Sequence, residues 1–166
     1  MLQMDGSEVQ LSDLDHEIAA LIGLPLWSFV GGNGSRVALD FGARILREHA
    51  LTNEKLTDEQ RLYEAERSLF VECPWSLFRR GLEICTWEDE YEPVDAAFAG
   101  SIGRLVQNAR IDLRTGRLEV TFDNGDRFEV RNDQIEEWLD GYSLFTPTEI
   151  LTVDAAGAVL RKTRAD

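Results

Sequence analysis

Residues 118–130 read LEVTFDNGDRFEV, in which apolar and polar side chains alternate on both sides of an Asn-Gly pair. Alternation with a period of two is typical of half-buried strands, and Asn-Gly between two such runs predicts an antiparallel hairpin. A two-residue loop would place Phe122 opposite Arg127, which puts an apolar and a charged side chain on the same face. We therefore expect a three-residue or bulged loop that pairs Phe122 with Phe128.

Four short segments of the first half of the chain recur in the second half in the same order. The pairs are 21–23 with 101–103, 40–44 with 123–127, 75–78 with 142–145, and 83–86 with 149–152. The spacing between partners shortens after the second pair, because the first half holds an extra segment at about 47–66. Ordered self-similarity is typical of an internal duplication. We interpret the chain as a single domain, 1–166, with pseudo-repeat one at about 20–92 and pseudo-repeat two at about 100–157.

Helical patterns in this sequence are few and short. Leu14 and Ile18 share one face of a helix that we expect over about 13–22. Residues 57–60, Thr-Asp-Glu-Gln, form a capping-box pattern that predicts a helix over about 58–67. Strands do not alternate with long helices, which argues against a doubly wound α/β fold. The expected class is α+β, a mainly antiparallel β-sheet built from two pseudo-repeats with a few short helices.

The charge balance argues against several classes of partner. The chain has 166 residues, with 17 Lys and Arg against 31 Asp and Glu, for a formal net charge of −14. Phosphate backbones and anionic membrane surfaces are bound through Lys and Arg, so we expect neither nucleic acid nor membrane as a partner. A basic protein partner suits such a surface, because complementary fields accelerate encounter. Solubility alone is the other interpretation of the same charge.

No catalytic or metal-binding set is evident from residue spacing. Cys73 and Cys85 form no Cys-x-x-Cys pair, and the spacing of His16 and His49 does not indicate a two-histidine metal site. Ser101 stands in a sequence that superficially resembles a nucleophile elbow, but a strand pattern follows it where that motif needs a helix. We therefore expect no enzyme activity, no cofactor and no metal ion.

The sequence also indicates a location. Its start lacks the basic and apolar regions of a signal peptide. No apolar run approaches the ~18–20 residues that a membrane span needs. The expected location is the cytoplasm, with both thiols reduced.

The densest acidic stretch follows a predicted strand and surrounds an aromatic residue. It comprises Trp87, Glu88, Asp89, Glu90, Tyr91 and Glu92. Calcium loops alternate their ligands and need a glycine at a defined place, and both features are missing here. The stretch could instead dock into a basic cleft of a partner, with its aromatic side chains as anchors and its carboxylates in the place of phosphate. A solvated loop that protects a strand edge from aggregation is the alternative.

A run in the middle of the chain resembles a motif of small bacterial proteins. Residues 70–77 read Phe-Val-Glu-Cys-Pro-Trp-Ser-Leu, and residues 80–84 read Arg-Gly-Leu-Glu-Ile. This run resembles an uncharacterised family in which a Cys-x-Trp strand precedes a glycine turn and a second strand. The resemblance spans about 20–153 and includes 39–42, Gly116, 122–125 and 137–138. The family pattern has Arg where this chain has Ser76, and the segment at 47–66 is longer than is usual in the family.

The resemblance and the charge together give a leading hypothesis. Some members of the family look like immunity partners of bacterial toxins, so the resemblance implies an association with toxin neutralisation. We therefore expect a non-catalytic acidic protein that binds a basic protein, in the manner of an immunity protein that neutralises a basic toxin. The candidate partner-binding residues are the six of the acidic stretch, Trp87 to Glu92.

Two alternatives remain open from the sequence. One is a small-ligand-binding domain with an aromatic pocket between the two pseudo-repeats, lined by Trp75, Trp87, Trp138 and Tyr142. The other is a homodimer that pairs exposed strand edges. An open aromatic pocket would favour the first, and a flat acidic face would favour a protein partner.

Overall fold

Antiparallel strands form two sheets in the computed structural model, which describes residues 9–31, 36–134 and 141–164. The strands are β1 (Leu26–Gly31), β2 (Val37–Leu46), β3 (Tyr63–Val71), β4 (Trp75–Arg79), β5 (Leu82–Thr86), β6 (Val106–Ile111), β7 (Leu118–Phe122), β8 (Arg127–Val130), β9 (Tyr142–Phe145), β10 (Glu149–Val153) and β11 (Val159–Thr163). The α-helices are α1 (Leu11–Ala19), α2 (Asp58–Leu62) and α3 (Tyr91–Ala99). The predicted α+β class, mainly antiparallel with a few short helices, is confirmed.

Each sheet combines strands from both halves of the chain. The six-stranded sheet has the order β1-β2-β3-β9-β10-β11, and the five-stranded sheet has the order β5-β4-β8-β7-β6. β3 pairs with β9 through Leu69 and Leu144, and β4 pairs with β8 through Leu77 and Phe128. All four side chains are buried in one hydrophobic cluster, so the two sheets share a core.

The hairpin between β7 and β8 has the predicted loop length in a different register. Val120 lies opposite Phe128, and the Phe122 amide donates to the Asp126 carbonyl at 2.8 Å. The loop therefore holds three residues, 123–125, but the predicted pairing of Phe122 with Phe128 is wrong. The observed register of β8 against β7 differs from the predicted one by two residues. A shift by an even number of residues keeps Phe122 and Phe128 on the buried face. Gly125 permits this loop because its φ is +89°.

The capping box of α2 forms as predicted, but the helix is shorter than expected. Thr57 Oγ1 accepts from the Gln60 amide at 3.2 Å, and Gln60 Oε1 accepts from the Thr57 amide at 2.9 Å. The helix ends at Leu62 and does not continue to residue 67, because Tyr63 begins the ladder with β2. Gln60 also donates to Ser28 Oγ at 2.8 Å, which holds α2 against β1.

The starts of β1 and β6 meet at a corner between the two sheets. α1 and α3 each have nine residues, and each is followed by a glycine with positive φ, Gly23 at +89° and Gly103 at +86°. The Gly23 amide donates to the Val106 carbonyl at 2.8 Å, and the Gly103 amide donates to the Leu26 carbonyl at 2.7 Å. These reciprocal hydrogen bonds tie the entry of one sheet to the entry of the other.

Phe98 of α3 connects the two sheets through aromatic contacts. Its ring stacks on Phe29 of β1 with centroids 4.2 Å apart. It also meets the edges of Trp75 and Phe128 of the five-stranded sheet, at 5.6 and 5.7 Å. These contacts fix α3 between the sheets, and with it the end of the turn that leads into the helix.

Candidate functional site

The predicted acidic stretch lies in the turn between β5 and α3 and in the first turn of that helix. Glu88, Glu90 and Glu92 are exposed. Asp89 has a structural contact, because its Oδ2 accepts a hydrogen bond from the Thr86 amide at 2.7 Å. Three of the four predicted carboxylates are therefore free to face a partner, while the fourth stabilises the turn.

The two aromatic residues of the stretch differ in their surroundings. Trp87 is half-buried against the core, and its amide donates to the Trp75 carbonyl at 3.1 Å. Tyr91 is 55% exposed, and its ring covers Gly31, where an added Cβ would lie 2.8 Å from the ring. Tyr91 is thus the more accessible of the two predicted anchors.

A feature that the sequence did not predict lies beside the acids, on the outermost strand of the five-stranded sheet. Leu77 pairs with Cys85 and Phe78 pairs with Glu83, so Ile84 is an extra, bulged residue of β5. A bulge redirects side chains and twists the edge away from further strand pairing. Leu82 is 71% exposed and Ile84 is 38% exposed. We define the acidic edge surface as Leu82, Ile84, Glu88, Glu90, Tyr91 and Glu92.

The residues of the alternative aromatic pocket do not open onto a common cleft among the described residues. Trp75 and Tyr142 are each 1% exposed. Trp75 packs against Phe98, and Tyr142 Oη donates to the Gly116 carbonyl at 2.6 Å. Burial raises the pKa of Tyr142 above its ordinary value, so this hydroxyl remains a donor. Trp138 lies outside the described residues.

The serine of the elbow-like sequence is part of a buried network. Ser101 is buried, and its Oγ donates to Asp126 Oδ2 at 2.7 Å. Arg79 donates to both oxygens of the same carboxylate, at 3.0 and 2.8 Å. The Ser101 hydroxyl is therefore buried and donates to a structural acceptor.

The two cysteines are buried free thiols. Burial raises the pKa of Cys73 and of Cys85 to about 12. The thiolate is the reactive form, so we predict that neither thiol reacts with Ellman's reagent in the native protein at about pH 8. Both thiols are expected to react in denaturant. A native chain that releases one equivalent of thionitrobenzoate within minutes contradicts this prediction.

The rest of the described chain offers no ready metal site. No group of three or more His, Cys, Asp and Glu side chains in residues 9–31, 36–134 and 141–164 is arranged to hold a metal ion. Within the same ranges, no helix is both long and apolar enough to cross a bilayer. Of the two sites predicted from the sequence, only the acidic stretch 87–92 presents exposed charged side chains in the described structure.

Comparisons with protein-family models, with curated proteins and with solved structures each found no match to this chain. The resemblance to the family with the Cys-x-Trp motif therefore stays a prediction. In the fold, Cys73 and Trp75 of that motif are core residues: Cys73 lies between β3 and β4, and Trp75 begins β4. A functional assignment for this chain thus rests on its own surface chemistry.

Proposed function

We propose that this protein is a non-catalytic acidic protein-binding protein, of the immunity type, that neutralises a basic bacterial toxin through the acidic edge surface. The observation that carries the proposal is the exposure of Leu82 and Ile84 on the edge strand β5, which leads directly into the turn and the first turn of α3 that carry three exposed carboxylates. Interfaces commonly combine an apolar centre with a polar rim, and this surface has both parts.

The charge of the surface supports the choice of a basic partner. Glu88, Glu90 and Glu92 are exposed, and no Lys or Arg interrupts the chain from Leu82 to Glu92. Carboxylates spaced along a turn can occupy a cleft that normally binds phosphate, because both groups are anionic acceptors. The formal charge of −14 adds long-range attraction, which raises the association rate with a basic protein.

The proposal includes the internal duplication, with pseudo-repeats at about 20–92 and 100–157. It is supported by the equal lengths of α1 and α3 and by the reciprocal hydrogen bonds of Gly23 and Gly103. β1 and β6 also carry a register shift at their starts, in matching positions. The acidic edge surface belongs to one half only, so we expect one partner molecule per chain. The proposed location is the cytoplasm, where buried thiols stay reduced.

A triple variant in which Glu88, Glu90 and Glu92 are each replaced by glutamine is expected to bind the partner about tenfold or more weakly than the wild type. Asp89 is kept, because its carboxylate holds the turn. The measurement is capture by the tagged protein from its own source lysate at low and at high salt, with native mass spectrometry of the eluate. We expect the wild-type chain to elute with one basic protein, less of it at high salt, and the triple variant to elute largely alone.

A matched control removes the same charge elsewhere. Glu48→Gln, Glu54→Gln and Asp123→Asn alter three exposed acids outside the acidic edge surface, and this variant is expected to keep the partner. Ile84→Ser tests the apolar anchor, and this variant is expected to lose the partner.

If the acidic-edge triple variant captures as much partner as the Glu48, Glu54 and Asp123 control variant, the proposed surface is contradicted. A wild-type chain that elutes alone, as monomer or homodimer, at both salt levels contradicts the proposed function.

A further inference from the structure

A cleft of about 420 Å³ lies on the outer face of the six-stranded sheet, away from the acidic edge surface. The register of β2, β3 and β9 determines which side chains form the floor of the cleft. Asp40 of β2 lies opposite Ser68 of β3, which lies opposite Phe145 of β9. In the next row, Ala38 lies opposite Phe70. The floor therefore combines two phenyl rings with a carboxyl and a hydroxyl group.

The walls of the cleft are charged. Arg47 follows β2, Glu64 lies on β3, and Arg164 follows β11; all three line the cleft. Arg164 is held by its donation to the Thr146 carbonyl at 2.8 Å and by a contact with Glu64 at 3.6 Å. With Asp40, the cleft holds two acids and two arginines, and their formal charges cancel.

Two polar groups in the cleft have unused hydrogen-bonding capacity. Arg47 Nε is buried and has no hydrogen-bond partner among the described residues. Such a donor costs free energy unless a ligand or water pairs with it. Asp40 accepts hydrogen bonds from Ser68 Oγ at 2.6 Å and from the Ser28 side chain, and the two oxygens of a carboxyl group have room for a further donor. Burial raises the pKa of Asp40, in line with a carboxyl set in a partly apolar cleft.

At the corresponding position of the five-stranded sheet, a large side chain occupies the space that is open in the cleft. In the five-stranded sheet, Thr121 lies opposite Arg127, which lies opposite Phe78. Arg127 covers the Phe78 ring, with its guanidinium carbon 4.5 Å from the ring centroid. In the six-stranded sheet the central position of the row is Ser68, whose side chain is too short to cover Phe145. The cleft therefore results from a small residue where the other sheet has a large one.

We propose that this cleft binds a small zwitterion with an apolar side chain, of the class of free α-amino acids such as phenylalanine or leucine. Arg47 binds the carboxylate, Asp40 accepts from the ammonium group, and the side chain packs on Phe70 and Phe145. A cleft with balanced charges favours a ligand that carries both charges, since a lone anion or cation would leave one side without a partner. The volume is within the usual range for small-molecule sites.

The test is isothermal titration calorimetry of the full chain with L-phenylalanine and L-leucine. Saturable binding of at least one is expected. Two analogues separate the contributions: 3-phenylpropionate lacks the ammonium group, and phenethylamine lacks the carboxylate. Each is expected to bind about tenfold more weakly than L-phenylalanine, because one charge-assisted hydrogen bond is lost.

Two variants locate the site. Arg47→Gln is expected to weaken binding of the amino acid by about tenfold, and Ser68→Arg is expected to abolish it by filling the cleft as Arg127 fills the other sheet. Arg110→Gln, on the five-stranded sheet, is the control and is expected to bind like the wild type. Near-ultraviolet circular dichroism checks folding, and Arg47 is partly exposed, so its variant remains decisive even where Ser68→Arg does not fold.

Three results would overturn the inference. The first is the absence of saturable binding of both amino acids at millimolar concentration. The second is an analogue that binds as tightly as L-phenylalanine, which removes the zwitterion as the ligand class. The third is an unchanged affinity in the folded Arg47→Gln variant, which places any binding elsewhere. None of these results bears on toxin capture, so the two proposals fail or stand separately.

Discussion

Arg79→Ala is expected to lower the free energy of unfolding by about 3 kcal/mol, near the lower end of the range for breaking a buried ion pair. Arg79 Nε and Nη2 donate to the two carboxylate oxygens of Asp126 at 3.0 and 2.8 Å, and Asp126 is only 1% exposed. Nη2 also donates to the Ala97 carbonyl at 2.9 Å, which ties β4 to the end of α3. The lower end applies because the Arg79 side chain is itself 34% exposed.

The pH dependence distinguishes a lost ion pair from lost packing. Burial alone raises the pKa of Asp126, but hydrogen bonds from Arg79, Ser101 and Asn124 outweigh it and hold the pKa below its ordinary value. A lowered folded-state pKa stabilises the fold above the unfolded-state pKa of about 4, and this contribution is lost as the pH falls through the folded-state pKa. Without Arg79, burial dominates and the carboxyl is expected to titrate at a higher pH. The difference in stability between wild type and variant is therefore largest at neutral pH. It shrinks as the pH falls through the raised pKa of the variant and then through the lowered pKa of the wild type.

Urea denaturation at several pH values measures this difference. Arg110→Ala is the control, because Arg110 pairs with Glu119 at 3.4 Å on an exposed surface, where such pairs contribute about 0–1 kcal/mol. A loss for Arg79→Ala no greater than that of the control contradicts the assigned role of the buried pair. A loss that is constant across the pH series assigns the effect to packing alone.

Local sequence patterns predicted the individual strands and helices of this fold better than they predicted which strands pair with each other. Alternation and the Asn-Gly pair predicted the hairpin of residues 118–130, and the capping box predicted the start of α2 at Asp58. The pairing of β3 with β9 and of β4 with β8 was not predictable in the same way. A period of two says which face of a strand is buried, but it does not say which of several similar strands lies beside it.

In the candidate site, too, the sequence predicted the charged residues but not the features that depend on strand pairing. The exposed acids of residues 88–92 were visible as a run of charges. Ile84 reads as an ordinary strand residue, and only the register with β4 reveals the bulge that exposes it. The burial of Asp126, which follows the Asn-Gly pair, was not predictable from the sequence. Asp is rarely buried without a partner, and its partner Arg79 is 47 residues away in the chain.

Phe98→Ala is expected to lower the free energy of unfolding by about 3–5 kcal/mol, because it removes a fully buried aromatic side chain and leaves a cavity between the sheets. The ring contacts Phe29 on one sheet and Trp75 and Phe128 on the other, so no single neighbour can move to fill the space without losing a second contact. α3 would remain attached chiefly by Val94 and by the Arg79 contact to Ala97. Its amides are expected to exchange hydrogen faster than those of β7, and the near-ultraviolet signal of Trp75 is expected to weaken.

A large effect at Phe98 also predicts a local loss of function, because α3 follows directly on the turn that carries Glu88 and Glu90. At a temperature where the variant is still folded, partner capture is expected to fall while binding in the cleft beside Asp40 is expected to persist. Leu82→Ala supplies the contrast, since Leu82 is exposed and its loss is expected to cost no more than about 0.5 kcal/mol of stability while still removing an anchor. If Phe98→Ala unfolds within about 1 kcal/mol of the wild type, the aromatic contacts between the sheets are not what fixes α3, and the acidic edge surface must owe its position to the turn alone.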